Sequence, residues 1–211
     1  MIALDAGVLS LLIYAKSGVP NDFKTGAPIE HAKERVDALV RSLEDEAESI
    51  VIPAPALSEA LVVVAPDCQK HVDQLESQSC FKIRAFATRA AIEVALRVKS
   101  NLETGDKKEG FRDWDKVKYD HQIVAIAKVE GVTTIYSMDK HIHQHGKLWG
   151  IPVLNVSDIP IPKTQGLLDL TFDTASTTTN VEAEAIQEVT PSKEVSNAAI
   201  VTLPIEDPTQ N

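Results

Sequence analysis

The chain is poor in cysteine, in aromatic residues and in positive charge. Cys68 and Cys80 are its only cysteines. Two thiols can make neither a disulfide scaffold nor a four-thiolate zinc site. Lys and Arg number 21 against 31 Asp and Glu, a net charge of −10. On that number alone a phosphate-rich partner is disfavoured, because binding phosphates calls for Lys and Arg. No apolar run reaches the roughly 18 residues of a membrane-spanning helix. The apolar start MIALDAGVLSLLIYA has no basic leading region and carries Asp5 within it, so it does not read as a signal peptide. No internal repeat is present. These absences leave a cytoplasmic globular protein with reduced thiols as the expectation.

What is present is unevenly spread over the 211 residues. Residues 1–160 hold 19 Lys and Arg against 23 Asp and Glu, a net of −4. Residues 161–211 hold Lys163 and Lys193 against eight acids, a net of −6. This last stretch has scattered prolines, a Ser/Thr run at 176–179 and no sustained period of 2 or 3.6. It offers too little apolar area to offset the entropy of ordering it. The expected organisation is a domain over residues 1–157 and an acidic, largely disordered tail over 158–211.

Within the domain, short apolar strands alternate with amphipathic helices. Strands are expected at 2–5, 49–54, 81–86, 133–137 and 151–156. Helices are expected at 7–15, 29–47, 56–65, 72–77, from Thr88 to about Glu103, from Asp113 or Asp115 to about Glu130, and at 139–146. Val36, Leu39, Val40 and Leu43 show the helical spacing, Pro66 stops one helix, and Gly131 ends another. Apolar strands alternating with helices predict an α/β fold with a central parallel sheet covered on both faces, a three-layer α/β/α sandwich. Ligands in such folds sit beyond the carboxyl ends of the strands.

Four carboxylates fall where that rule points. Asp5 ends the first strand, Glu59 lies in the helix after the second, Asp120 lies early in the helix before the fourth, and Asp139 follows the fourth. Their flanks are apolar, which draws each towards the core. Crowded, partly buried carboxylates repel one another and raise one another's pKa. A hard divalent cation such as Mg²⁺ or Mn²⁺, with its preference for oxygen ligands, removes that penalty. Such an ion activates water and stabilises a leaving oxygen in phosphodiester hydrolysis.

The segments LDAGVL, VIPAPALSEAL, YDHQIVAIA and TIYSMDKHI together resemble the four acidic motifs of the PIN domain, the metal-dependent ribonuclease fold of VapC-type toxins in toxin–antitoxin pairs. The resemblance covers about residues 1–157. It implies a Rossmann-like sandwich, an RNA substrate, a Mg²⁺ or Mn²⁺ cofactor, a homodimer and an antitoxin protein as partner. It carries Asp5, Glu59, Asp120 and Asp139 over as catalytic metal ligands, with Ser137 as the supporting hydroxyl two residues before the last acid. Ala6-Gly7 departs from the Thr-Asn or Ser-Asn common after the first acid, and the loop from Ser17 to Pro28 is longer than in the shortest toxins. The helices at 29–47 and 56–65 are the candidate dimer surfaces.

Each acid also has a plainer reading. Asp5 and Asp139 suit helix N-caps, Glu59 a solvated position in an early helical turn, and Asp120 an exposed helix position. Arg112, Lys116, Lys118 and Lys140 are candidates for holding RNA phosphates, against the reading of a solvated charged face. Phe111 and Trp114 are candidates for stacking on a base, against core anchors. The run His141-Ile142-His143-Gln144-His145 reads as a polar surface helix, and no ligand role falls to its histidines.

Two enzyme classes are disfavoured. An aspartyl-nucleophile phosphohydrolase needs a second acid two residues after the first, where Gly7 stands. A phospho-receiver needs an acceptor Asp on a middle strand, and those at 51 and 83 run into Pro53 and Phe86. The expected function is a metal-dependent endoribonuclease. The alternative is a catalytically degenerate PIN-like module that binds RNA or a protein without cleaving.

Overall fold

A computed structural model describes residues 1–14, 16–103 and 114–162, the side chains of 101, 102 and 114–118 excepted. The sheet has five strands: β1 (Ile2–Leu4), β2 (Ile50–Pro53), β3 (Phe81–Arg84), β4 (Thr134–Tyr136) and β5 (Val153–Leu154). Their order is β3-β2-β1-β4-β5 and every pairing is parallel. The chain runs outward from β1 through β2 to β3, then returns to build β4 and β5 on the other flank of β1. The order therefore reverses between β1 and β4. In open parallel sheets the crevice at such a reversal is where ligands bind.

Among the described residues seven α-helices connect the strands: α1 (Ala6–Ile13), α2 (Ala32–Asp45), α3 (Ala54–Val62), α4 (Cys68–Ser77), α5 (Thr88–Glu103), α6 (Trp114–Val129) and α7 (Lys140–Trp149). Parallel strands need such crossovers, and the helices bury both sheet faces. Strand alternation sorts the core. Ile2, Leu4, Ile50 and Ile52 pack with Val8, Leu9, Val36, Val40 and Leu75 on one side. Ala3, Val51 and Ile135 pack with Ala90, Val124, Ile126, Ile142 and Trp149 on the other. The expected α/β class with a parallel sheet buried on both faces is the observed one.

Element ends differ from expectation where local chemistry outweighs periodicity. α3 begins at Ala54 with Pro55 in its first turn, a position where a missing N–H costs nothing. α7 runs on to Trp149 because that side chain is buried, and it stops at Gly150, whose φ of 72° is left-handed. The packed region also passes the expected boundary at 157. Ile159 is buried in the first core. The Arg35 guanidinium on α2 donates to the carbonyls of Ser157 and Ile159. The acidic tail from residue 163 onward lies outside the described residues.

Gly146 marks a close approach. A Cβ there would stand 2.2 Å from Val153 Cγ2 and 2.9 Å from the Ile151 carbonyl. Only glycine lets α7 lie this tightly on β5.

Candidate functional site

The two strands at the reversal each lead, within three residues, to a carboxylate that caps a helix. Asp5 Oδ1 accepts from the Val8 N–H at 3.0 Å and caps α1. Asp139 Oδ1 accepts from the His141 N–H at 2.8 Å and caps α7. The capping reading thus holds for both acids, and it fixes both at the carboxyl end of the sheet. Ser137, fully buried between them, ties the two turns together. Its hydroxyl donates to Asp5 Oδ2 and accepts the Asp139 N–H at 2.9 Å.

All four acids line one cavity of about 370 Å³, together with Gly7, Phe23, Met138 and Lys140. Asp5 and Asp120 are buried, and Glu59 is exposed on α3. A larger cavity of about 540 Å³ lies among α1, α2, α4 and β3, and none of the four acids lines it. Burial pushes the Asp5 carboxyl up to about 6, and the charge of Asp139 adds to the rise. The hydrogen bonds from Ser137 and Val8 oppose it without cancelling it. Ionised Asp5 is therefore a costly group awaiting positive charge.

Among the described residues, no three His, Cys, Asp or Glu side chains stand as a closed cation-binding group. The acids share a cavity, yet the capping bonds keep part of their oxygens turned to the backbone. The donor chemistry still fits a hard divalent ion. Mg²⁺ keeps several waters and needs only one or two direct carboxylates, and Asp5, Glu59, Asp120 and Asp139 are the residues that could hold it.

The histidine run departs from the expected polar surface helix. His145 is fully buried. Asp120 Oδ2 stands 4.0 Å from His145 Nε2 and 4.0 Å from His141 Nδ1. The rings of His121 and His145 meet edge-on at 4.5 Å, and Trp149 lies 6.2 Å from His121. α7 thus turns an imidazole-lined face onto α6 around Asp120. The signal was in the spacing: His141, His145 and Trp149 follow one another at i, i+4 and i+8. Asp120, expected as an exposed residue in its plainer reading, is instead enclosed.

His143 points elsewhere. Its Nε2–H donates to the Ser137 carbonyl at 2.9 Å, and its ring rests 4.7 Å from that of Phe23. Phe23, an aromatic in the long loop, reaches the acid cavity without having been singled out by any motif. Lys140 lines the same cavity. Arg112 lies outside the described residues; Lys116 and Lys118 belong to α6, with side chains outside the description. Phe111 and the side chain of Trp114 also fall outside it.

No protein-family model and no curated protein matches this chain. Among solved structures it is similar to a crystal structure of DNA-bound VapBC from Salmonella typhimurium. The identity is 14% and the TM-score 0.47, over 74% of this chain and 97% of that one. The site itself defines the class: a parallel α/β protein with an acid-lined crevice at the reversal of strand order. Among the described residues no helix is long and apolar enough to cross a membrane.

Proposed function

We propose that the chain is a metal-dependent endoribonuclease with a PIN-like active site formed by Asp5, Glu59, Asp120 and Asp139. The observation that carries this reading is the meeting of all four acids in one cavity at the point where strand order reverses. Helix capping accounts for Asp5 and Asp139 there; it does not account for Glu59 and Asp120 lining the same cavity. A bound Mg²⁺ or Mn²⁺ would lower the pKa of a water and stabilise the leaving oxygen of a phosphodiester. The protein's own residues do the rest. Asp5 and Asp139 are held by their caps and by Ser137. The imidazoles of His141 and His145 on α7 stand beside Asp120 on α6. Lys140 at the cavity edge meets a phosphate oxygen of the substrate.

A role as the toxin of a toxin–antitoxin pair extends this reading, and it requires a protein partner encoded beside it. The second reading is a PIN-like module that binds RNA or protein without cleaving it. Two observations favour it: among the described residues no three acids form a closed set, and Ala6-Gly7 supply no polar side chain beside Asp5.

The two readings part on one experiment. Thermal melting in millimolar Mn²⁺ should raise the Tm of the wild type, because an ion that binds only the folded state stabilises it by mass action. Cleavage of single-stranded RNA should follow, and Asp5→Asn should lose it. An unchanged Tm in millimolar Mn²⁺ would sink the catalytic reading. Equal cleavage by wild type and Asp5→Asn would place the chemistry elsewhere.

A further inference from the structure

We propose that the loop spanning residues 21–28 presents Phe23 as a stacking platform for an unpaired base of single-stranded RNA at the mouth of the acid cavity; this rests on the RNA-directed function proposed above. Three observations carry it.

The loop is built to hold a position. Asn21 and Pro28 pair across its base. The Asp22 N–H donates to the Ala27 carbonyl at 2.8 Å, and the Gly26 N–H to the Asp22 carbonyl at 2.7 Å. The Asp22 carboxylate accepts from the Lys24 N–H and from the Ser157 hydroxyl, both at 2.7 Å, the second across 135 residues of sequence. These bonds hold the Asp22 carboxyl below the usual carboxylate range. A loop tied at both ends and in its middle fixes whatever its tip carries.

The tip carries a large apolar ring where burial would favour a small one or none. Phe23 is 36% exposed, yet it lines the cavity that also holds the four acids. About a third of the residue therefore stays accessible beside charged groups. It is braced from one side by His143, which is itself hydrogen-bonded to Ser137, the residue that joins Asp5 and Asp139. The platform and the acids thus share one anchor.

Cations stand beside the ring and the acids. Lys24 Nζ lies over the Phe23 ring, 5.7 Å from its centre, on an exposed side chain that an incoming base would displace towards its own phosphate, and Lys140 lines the cavity. An aromatic face with flanking lysines is the pairing that single-stranded nucleic acids recognise, because every base has a π-face and every nucleotide a phosphate. A base locked in a duplex cannot leave its stack to reach the ring, so the platform selects unpaired strands.

The test measures Kd by fluorescence anisotropy for a labelled single-stranded RNA and for the same strand in a duplex. Full-length protein is used in Ca²⁺, a hard cation for oxygen ligands. The variants are Phe23→Ala, Phe23→Leu and Phe23→Trp. Leucine keeps the loop's apolar contact with His143 and lacks a π-face, so it separates stacking from loop structure. Alanine and leucine are expected to weaken single-strand binding by about 10-fold or more and to erase the preference over duplex. Tryptophan is expected to restore both. The Tm rise in Mn²⁺ is expected to be the same in all four proteins, since none of them alters an acid. Single-strand binding within twofold of wild type in Phe23→Leu, or failure of Phe23→Trp to rescue, would overturn the platform and leave the proposed function standing. A wild type that neither binds nor cleaves RNA would overturn both.

Discussion

The two faces of the sheet are built from different materials. Against one face α1, α2 and α4 set an aliphatic layer in which Leu4, Val8, Leu9, Val36 and Ile52 are fully enclosed. Against the other, α6 and α7 bury Asp120, His121 and His145 among Ile126, Ile135 and Ile142. Burying polar groups is costly unless they meet partners, and on this face Asp120 lies beside the imidazoles of His141 and His145. The difference teaches where stability and chemistry reside. The aliphatic face gives the sheet its depth. The polar face holds a carboxylate at the sheet end, at some expense in packing.

Substitutions can break this contrast, and the largest effect falls on the aliphatic side. Leu9→Ala should lose about 2–5 kcal/mol in chemical denaturation, as for other buried leucines. Its Mn²⁺-induced Tm rise should survive, because the Leu9 side chain belongs to the aliphatic core and does not line the acid cavity. Gly146→Ala comes next. Its Cβ would press on Val153 and on the Ile151 carbonyl, which is backbone and yields little, so a loss of about 1–3 kcal/mol is expected. Here the Mn²⁺ response should shrink as well, since α7 carries Asp139 at its cap and the imidazoles beside Asp120. A full Mn²⁺ response in Gly146→Ala would uncouple α7 packing from the site.

Asp5→Asn should act in the opposite direction. The folded Asp5 keeps its proton up to about pH 6, while an unfolded Asp releases it near 4. Between these values the folded state binds more protons, so stability falls as pH rises through the window and stays lower above it. Asparagine removes that loss, and a gain of about 3 kcal/mol at pH 7 is expected. The gain should vanish below pH 4. Melts at pH 3.5, 5 and 7 check this, and an Asp5→Asn variant less stable than wild type at pH 7 would mean that the caps outweigh the buried charge. The smallest effect belongs to Gly7→Ala. The added Cβ meets the end of the flexible Met138 side chain at 3.2 Å, so the helical gain over glycine should show as about 0.5 kcal/mol.

Much of the aliphatic face was legible in the sequence, because burial there follows a period of 2 in strands and 3.6 in helices. Val36, Val40 and Leu43 announce α2 in this way. The polar face was harder to read. His141 and His145 visibly share a helical side, yet histidine is at home both outside and inside, and only the packing of α7 on α6 decides between them. Asp5 and Asp139 showed the reverse ambiguity: cap and cavity wall are the same residues. Phe23 left no signal, since one aromatic in a Gly- and Pro-containing loop has no period to belong to. The bonds that fix it, to Ser157 and through His143 to Ser137, join residues far apart in the chain.

The Ser137 hydroxyl on Asp5 closes a gap of 132 residues. The Val8 N–H donates to the same carboxylate from within α1, so one bond on Asp5 is local and the other spans most of the folded region. Neither half of the sequence can complete the cavity by itself. β1 supplies one wall, the turn after β4 the other, and the two strands must pair before Asp5 and Asp139 share one space.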